Sequence, residues 1–282
     1  MKMNNISPKD IESRMFYRLL SGIIGPRPIA LVSSCSKSGN INLAPFSFFN
    51  VMSIVPPILV FSPLRRLRTN TTKDTLNNVQ EVQEVVINII GLDRVEQMSI
   101  AGSDYDSLVN EFNKSGFTPL DSHIVRPPRV EEALASFECK VLSTMALGKE
   151  GGAGNLVVCE VLTAHFKEGI IGQDYQINVE NLDLIGRLGQ DFYVKVDKES
   201  LFKVQKISSK IGVGWDNLPV EIRENKFLTG NEISKLATVE NIPVDTKNIS
   251  VTENPKVYKK VKNTLSKNNL LQAWKLLYSA NI

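Results

Sequence analysis

The chain has 282 residues, 42% of them hydrophobic and 22% charged, which is the composition of an ordinary globular protein and allows either one domain with an appendage or two domains. A net charge of only +3 argues against a dedicated nucleic-acid surface, while two histidines and three widely spaced cysteines argue against a multi-histidine or cysteine-rich metal site and against a disulfide framework. Because no run of about 18 apolar residues occurs and the charged N-terminus lacks the features of a signal peptide, we expect a cytoplasmic protein without a membrane partner.

The N-terminal part of the chain predicts a helix followed by a β-hairpin. Ser7 and Pro8 are typical of the N-cap and the first position of a helix that would end between residues 17 and 20. The apolar run at residues 29–35 predicts a strand, and a Ser-Gly-Asn turn leads into a returning strand at residues 41–45.

Residues 42–90 carry the groups expected of a site for a phosphorylated ring. Short apolar runs at residues 57–63 and 85–90 predict two buried strands. The loop between them leads into a helix with Thr72 or Asp74 as the predicted N-cap. Its candidate phosphate-binding side chains are Arg65, Arg66, Arg68, Thr69, Thr71, Thr72, Lys73 and Thr75. Cations, hydroxyls and N–H groups at a helix N-terminus stabilise a phosphate, although many loops of this composition are simply solvated.

Ser47, Phe48, Phe49 and Asn50 precede this loop and combine aromatic faces with polar groups. Such a set suits a flat heteroaromatic ring with polar edges, and the alternative role of the two phenylalanines is to fill the core. A ring at one end and a phosphate at the other describe a flavin mononucleotide (FMN) better than most ligands.

The middle of the chain predicts helices and a second hairpin. Residues 92–102 and 107–115 have helical spacing, and alternating apolar residues at 137–147 and 155–164 predict two strands. The glycine-dense loop at residues 148–154 predicts a tight turn that lets the backbone approach a ligand. A dinucleotide site there is disfavoured, because no GxGxxG motif leads from a strand into a helix.

The cysteines and histidines offer little further chemistry. Cys35, Cys139 and Cys159 lie in or beside predicted strands, which indicates inert, buried thiols. His165, after the strand at 155–164, is a weak candidate for a proton donor, and its alternative is a strand-end histidine satisfied by backbone groups. His123 lies in an irregular polar stretch and is expected at the surface.

From residue 195 onward the composition changes. Residues 195–210 are rich in lysine, and Thr229 followed by Glu232 predicts a capped helix start. Residues 257–279 predict a basic amphipathic helix. Its apolar face is expected to pack against protein, and contact with a membrane or an acidic partner is the alternative. The residues of this C-terminal third do not predict its function.

Five segments in order, PRPIALVS, NLAPFSFFN, PPILVFSP, TKDTLNN and VVINI, together resemble the flavin reductase-like family of FMN-binding split β-barrels. PPRV, FECKV, GNLVVCEV and LIGRLG extend the match, which covers about residues 22–194. The resemblance implies a mainly β fold with peripheral helices, here a split barrel over residues 1–194 with an α-rich extension over residues 195–282. It also implies bound FMN and a homodimer in which each flavin lies near the subunit interface.

The same resemblance assigns roles to particular residues. The side chains expected to border the flavin ring are Ser47, Phe48, Phe49, Asn50 and Ser62. Those expected to hold the phosphate are Thr71, Thr72, Lys73 and Thr75, with Arg68 as a further candidate. Asn155 and Arg187 are expected close to the bound cofactor.

The expected function is that of an NAD(P)H:FMN oxidoreductase, a flavin reductase that passes electrons from NADH or NADPH through FMN to an acceptor. Two alternatives stay open: a flavoredoxin-like electron carrier reduced by a partner protein, and a non-catalytic flavin- or haem-binding barrel. No nucleophilic triad or pair of carboxylates is recognisable, which argues against a hydrolase.

Overall fold

The computed structural model describes residues 3–204, 211–244, 251–252 and 254–278. The chain divides into two compact units, Met1–Leu201 and Phe202–Ile282, called unit 1 and unit 2 below. The sequence-based division after Val194 would cut the strand Tyr193–Val196. Because that strand pairs with Leu184–Arg187, it belongs to unit 1 and the division falls after it.

Unit 1 is built mainly of antiparallel strands. They are β1 (Ala30–Cys35), β2 (Ile41–Phe46), β3 (Phe49–Ser53), β4 (Ile58–Phe61), β5 (Glu84–Ile89), β6 (Pro119–Leu120), β7 (Arg129–Val130), β8 (Ala135–Ala146), β9 (Asn155–Phe166), β10 (Leu184–Arg187) and β11 (Tyr193–Val196). One sheet has seven strands in the order β2-β1-β5-β8-β9-β4-β3, and β6–β7 and β10–β11 form two-stranded sheets. The strands predicted from the apolar runs are confirmed, with small differences at their ends.

The seven-stranded sheet is curled into a half-barrel. β2 and β3 lie at its opposite edges, yet only Ser47 and Phe48 separate them in the chain. That connection can span about 10 Å, whereas seven strands laid flat at about 4.8 Å spacing would put the edges about 29 Å apart. The sheet therefore bends until its edges approach each other, which confirms the predicted split barrel with peripheral helices.

Each face of the sheet packs on its own apolar core. Ala30 and Val32 of β1 face a core completed by Leu76 and Val79 of helix α2 (Asp74–Glu81). Leu31, between them in sequence, faces the opposite core, because successive side chains of a strand point to opposite faces. That second core is covered by helices α3 (Val95–Ala101) and α4 (Glu111–Ser115), which follow the short 3-10 turn Leu92–Arg94. Further 3-10 turns are Gln173–Tyr175, Val179–Asn181 and Lys198–Ser200.

Three predicted helix starts are wrong. The helix predicted over residues 107–115 begins only at Glu111, because Asn110 caps it by accepting the Phe112 N–H. Helix α1 spans Ser13–Ile23, because Ser7 and Asp10 close a local turn in which the Ser7 N–H donates to Asp10 Oδ2 at 2.7 Å. At α2 the N-cap is Lys73 rather than Thr72 or Asp74. The Thr72 hydroxyl is directed to Asn77 Oδ1 at 2.8 Å and so caps no backbone group.

The three cysteines are buried and free, as predicted. Burial raises the pKa of all three thiols, that of Cys159 to about 12, so they stay protonated at neutral pH. Cys35 lies on β1, Cys139 on β8 and Cys159 on β9. They act as small apolar side chains.

Unit 2 is helical and has its own apolar core. Its helices are α5 (Val220–Arg223), α6 (Gly230–Leu236), α7 (Pro255–Ser266) and α8 (Leu270–Leu277). The predicted capped start at Thr229 is confirmed as a capping box with Glu232. Trp274 and Leu265 are fully buried in the core that these helices share.

The single helix predicted over residues 257–279 is wrong. The chain breaks between α7 and α8, where Asn268 adopts a left-handed conformation with φ 56°, and residue 279 lies outside the described part. The apolar positions do pack within protein, as predicted, since Val261 and Leu277 lie in the core of unit 2. Within the described residues, helices long and apolar enough to cross a bilayer do not occur.

Candidate functional site

Two loops of unit 1 meet at one end of the half-barrel. The basic loop (residues 65–73) follows β4, and the glycine loop (residues 148–154) joins β8 to β9. The Arg65 N–H donates to the Ala153 carbonyl at 2.9 Å, and the Gly152 N–H donates to the Arg65 carbonyl at 3.0 Å. The glycine loop is thus the expected hairpin turn, and its backbone fixes the start of the basic loop.

Glycine is required where these loops touch. A Cβ atom at Gly154 would lie 2.7 Å from Ser62 Oγ, and one at Gly151 would lie 2.9 Å from the Leu67 carbonyl oxygen. Ser62 Oγ is buried and has no hydrogen-bond partner among the described residues. Such an unsatisfied hydroxyl is costly unless a ligand or water completes it.

Cations crowd the basic loop in excess of the acids around them. Arg66 forms ion pairs with Asp104 at 3.2 Å and Asp74 at 3.5 Å, and Lys73 Nζ lies 4.0 Å from the same Asp104 carboxylate. Arg68 is exposed and makes no ion pair with a described residue. Arg65 instead holds the loop itself, donating to Asn70 Oδ1 at 2.6 Å. Arg66, Arg68 and Lys73 therefore supply three positive charges against two carboxylates, which leaves attraction for an anion.

Some hydroxyl groups of the basic loop are accessible, whereas another already donates to a neighbouring side chain. Thr69 and Thr71 share a hydrogen bond of 2.8 Å on the exposed side, and Arg66 reaches Thr71 Oγ1 at 3.5 Å. Thr72 is half-buried and donates to Asn77. Thr71 is thus accessible to a ligand, whereas the Thr72 hydroxyl is already used by Asn77.

Thr75 faces the interior, away from the position predicted for it. Its side chain is 1% exposed, and its hydroxyl donates to Asn42 Oδ1 at 2.7 Å. The reason is helical geometry: Thr75 is in the first turn of α2 on the face that carries Leu76 and Val79 toward the sheet. Its hydroxyl positions α2 and does not point at the basic loop.

Asn42 connects Thr75 to a buried carboxylate, that of Glu111. Its amide donates to Glu111 Oε1 at 2.8 Å, and the Leu43 N–H donates to Glu111 Oε2 at 3.1 Å. Burial, the largest influence, raises the pKa of Glu111, although the hydrogen bonds from Leu43 and Asn42 act in the opposite direction. The network ties α4, β2 and the start of α2 together behind the basic loop.

Phe48 is the aromatic residue placed beside this end of the barrel. Its ring meets the edge of Tyr17 at a centroid distance of 6.2 Å, and the guanidinium of Arg27 lies 5.8 Å from its centroid. The Phe48 carbonyl accepts the Ser62 N–H at 2.9 Å, which brings the two segments together. Arg27 itself is fixed by the carbonyl oxygens of Ser21 and Ile24 at 2.7 and 2.8 Å.

The residues around Phe48 take different positions. Phe49 packs against the barrel core, whereas Asn50 is exposed and accepts the Val51 N–H at 2.8 Å. Ser47 is half-buried in the turn between β2 and β3. Ser47, Phe48 and Ser62 are therefore adjacent, while Phe49 contributes to the core.

Asn155 and Arg187 have structural partners. Asn155 is buried, and its amide donates to the Pro63 carbonyl at 3.1 Å, which fixes β9 beside Ser62. The Arg187 guanidinium lies 4.6 Å from the Tyr193 ring centroid and pairs with Asp191 at 3.6 Å. Arg187 reaches the Phe48 region only through its backbone, which pairs with that of Arg27.

His165 lies away from the two loops, in a separate cluster. It is ten residues after Asn155 on the extended strand β9, a separation of about 30 Å. Its Nε2 is 2.7 Å from Glu138 Oε1, and its ring meets that of the exposed His123 at a centroid distance of 4.6 Å. His165 is thus satisfied by a carboxylate rather than by the backbone groups proposed as its alternative partner.

Glu138 is fully buried and anchors a neighbouring segment. It accepts the backbone N–H groups of His123, Ile124 and Val125 at 2.7–3.1 Å. Burial acts to raise the pKa of Glu138, but these hydrogen bonds and that from His165 outweigh it and hold the pKa below its usual range. This burial could not be recognised in the sequence, because Glu138 lies on the face of β8 opposite to Cys139 and is covered by residues 123–125, which are distant in the chain.

The residues at the two loops fit the chemistry of FMN. Arg66, Arg68 and Lys73 with the accessible hydroxyl of Thr71 match a phosphate, whereas the Thr72 hydroxyl already donates to Asn77. The unsatisfied Ser62 Oγ, set beside a glycine that leaves no room for a side chain, matches a polar ring edge that approaches the backbone closely. Arg66, the cation with two carboxylate partners, was visible in the sequence but not among the residues assigned to the cofactor.

Comparison with known proteins agrees with this geometry. The flavin reductase like domain matches residues 25–181, more than half of the chain, and the protein therefore belongs to the flavin reductase-like family. An uncharacterised protein from Aquifex aeolicus is 39% identical over 196 residues, which cover 70% of this chain and 97% of that protein.

Two solved structures share the fold of unit 1. Nitrilotriacetate monooxygenase component B from Bacillus cereus is 30% identical with a TM-score of 0.68, over 72% of this chain and 100% of that chain. The 2-nitrobenzoate 2-nitroreductase from Pseudomonas fluorescens is 29% identical with a TM-score of 0.64, over 74% of this chain and 100% of that chain. Both proteins are matched over their whole length by about three quarters of this chain.

Proposed function

We propose that unit 1 binds FMN at the junction of the basic and glycine loops and acts as an NAD(P)H-dependent oxidoreductase that passes electrons to an acceptor. The observation that carries this is the excess of cations and hydroxyls in the basic loop, next to the unsatisfied Ser62 Oγ and the glycine-lined contact. Family membership and the redox enzymes among the similar structures support the same reading.

The chain would contribute binding and orientation, while bound FMN supplies hydride acceptance and electron transfer. Arg66, Arg68 and Lys73 would neutralise the phosphate, and Thr71 would donate a hydrogen bond to it. The Ser62 hydroxyl would donate to, or accept from, a polar edge of the ring. Phe48, fixed by Tyr17 and Arg27, would limit where the ring can lie.

We also propose a homodimer, as the family resemblance implies. The end of β3 and its connection to β4 expose apolar side chains, with Ile54 89% and Val55 87% accessible in the connection and Val51 and Met52 of β3 above 60%. A patch of this kind directly after the ring-binding turn is typical of a protein interface. A flavin bound beside Phe48 would then lie close to the partner subunit.

The function is tested by spectroscopy of the purified protein. FMN is removed, added back in a titration, and the loaded protein is mixed anaerobically with NADH and with NADPH. We expect saturable binding and loss of the flavin absorbance with at least one nicotinamide. Bound flavin that neither nucleotide reduces would favour an electron carrier fed by another protein, and failure to bind FMN at all would contradict the proposed site.

A further inference from the structure

Unit 2 differs from unit 1 in charge. It contains 13 Lys and Arg residues against 7 Asp and Glu residues, whereas unit 1 contains 20 against 23. Unit 2 therefore has a net charge of +6 and unit 1 a net charge of −3, which the whole-chain value of +3 conceals. A basic appendage on an acidic domain points to an electrostatic role for unit 2.

The excess positive charge of unit 2 is concentrated on one side of α7. Lys256, Lys259, Lys260 and the C-cap Lys267, called the lysine face here, are all exposed. At 3.6 residues per turn they lie within an arc of about 100°. Tyr258, Val261 and Leu265 lie on the opposite side and are buried in the core of unit 2.

The N-terminal part of the lysine face is unfavourable for the helix that carries it. Lys256 stands in the first turn of α7, where the helix dipole favours anions, and that turn holds no acidic residue. Lys256 also has like-charged neighbours three and four positions away, which repel it. Lys262, at the flank, pairs with Glu232 at 3.3 Å, whereas the four lysines of the face form no ion pair with any residue that the structure describes. Residues that are unfavourable for their own helix and form no stabilising contact in return are typical of functional surfaces.

The composition of the lysine face selects among anionic partners. Insertion of α7 into a membrane surface would require an apolar helix face, but that of α7 is occupied by the core of unit 2. Nucleic-acid surfaces combine arginine with exposed aromatic rings, yet α7 contains no arginine and its only aromatic residue, Tyr258, is 3% exposed. Flexible, strongly hydrated lysines suit a weak encounter that is steered by charge.

We propose that the lysine face of α7 is a docking surface for an acidic face of a partner protein. The encounter is transient and sensitive to salt, because exposed charges contribute little each and are screened within about 10 Å at 0.1 M salt. Docking on α7 does not depend on FMN binding in unit 1, so either property can be present without the other.

The test uses the full-length chain and a short fluorescein-labelled poly-L-glutamate peptide, with binding followed by fluorescence anisotropy at low salt. The face variant carries Lys256→Gln, Lys259→Gln, Lys260→Gln and Lys267→Gln. The control variant carries Lys203→Gln, Arg223→Gln, Lys226→Gln and Lys275→Gln, which remove the same charge from exposed positions elsewhere in unit 2. A single-stranded oligonucleotide and phosphatidylserine vesicles serve as the other anionic probes.

We expect the face variant to lose about tenfold in affinity for poly-L-glutamate and the control variant less than about twofold. The melting temperature of the face variant should equal or exceed that of the parent, because repulsion is removed. Equal losses in the two variants, or no loss in either, would overturn the assignment. So would oligonucleotide or vesicle binding that depends selectively on the lysine face while poly-L-glutamate binding does not.

Discussion

At the scale of single residues, the basic loop contains cations that are available to bind an anion and cations that are already held by carboxylates or by the loop itself. Lys73 is half-buried at the N-cap of α2, and its only described ion pair, with Asp104, is long at 4.0 Å. Lys73→Ala should weaken FMN binding by about tenfold or more, since a hydrogen bond to a charged group contributes about 1.5–3 kcal/mol. Equilibrium titration of the apoprotein measures this.

Riboflavin, which lacks the phosphate, provides the matched control for Lys73→Ala. Its affinity should be the same in the variant and the parent, and Lys37→Ala, at an exposed turn of unit 1, should change neither affinity. If riboflavin and FMN were weakened equally, Lys73 would support the ring site or the fold rather than the phosphate.

Substitution of Thr75 is expected to lower the stability of the fold rather than FMN affinity, because its hydroxyl is buried against Asn42. Thr75→Val should lower the free energy of unfolding by about 1–2 kcal/mol, as a buried hydrogen bond is lost and an acceptor is left with fewer donors. Urea unfolding followed by circular dichroism measures the change, and Thr72→Val is the half-buried control. If the variant had the stability of the parent but bound FMN weakly, Thr75 would be part of the phosphate site instead.

Glu138 gives the fold a component that depends on pH. Its pKa in the folded protein is lowered, so its stabilising effect is complete above the unfolded-state pKa of about 4.3 and is lost as the pH falls through the folded-state value. Glu138→Gln should destabilise unit 1 by about 1–3 kcal/mol at pH 7 and by progressively less in acid. Urea unfolding at pH 7 and pH 4 checks this, with the exposed Glu168→Gln as control. A constant difference between variant and parent would contradict it.

The residue types of the candidate site could be read from the sequence, but their partners could not. Cations and hydroxyls in the basic loop were recognisable from their spacing alone. The pairing of Thr75 with Asn42, 33 positions away, depends on how α2 packs on the sheet, and the Glu138–His165 contact joins diagonal neighbours on the paired strands β8 and β9. Such contacts arise from tertiary structure, which local patterns do not contain.

At the scale of elements, the periodicity of apolar residues predicted the strands and helices that form because those residues are buried. It did not predict the helix ends that local hydrogen bonds and backbone conformation determine. The barrel strands follow from alternating or continuous apolar residues, and the structure contains them. The late start of α1 and the break between α7 and α8 follow instead from the Ser7–Asp10 turn and from the left-handed Asn268. Both interruptions use residues that also occur within helices, so the amphipathic pattern runs through them.

The connection between β3 and β4 is the element on which the proposed dimer depends. Val55→Asp places a charge in its exposed apolar patch, where Val55 is 87% accessible. We expect the variant to run as a monomer in size-exclusion chromatography with light scattering, because burying an unpaired carboxylate opposes association. Leu108→Asp, at another site of 87% accessibility, is the control and should leave the assembly unchanged. A monomeric parent would contradict the dimer.

At the scale of the whole molecule, the two units carry separate cores and separate optical reporters. Both tryptophans of the chain, Trp215 and Trp274, lie in unit 2. Tryptophan fluorescence should therefore report unfolding of unit 2, whereas FMN binding should report the integrity of unit 1. The arrangement allows each unit to be perturbed while the other is observed.

Leu265→Ala tests whether the units are energetically independent. Leu265 is 1% exposed in the core of unit 2, so the truncation should lower the stability seen by tryptophan fluorescence by about 2–5 kcal/mol through loss of contacts and a cavity. FMN affinity should remain that of the parent. Leu271→Ala, on the exposed side of α8, is the control and should change the fluorescence transition little. Loss of FMN binding in folded Leu265→Ala would show instead that unit 2 supports the cofactor site.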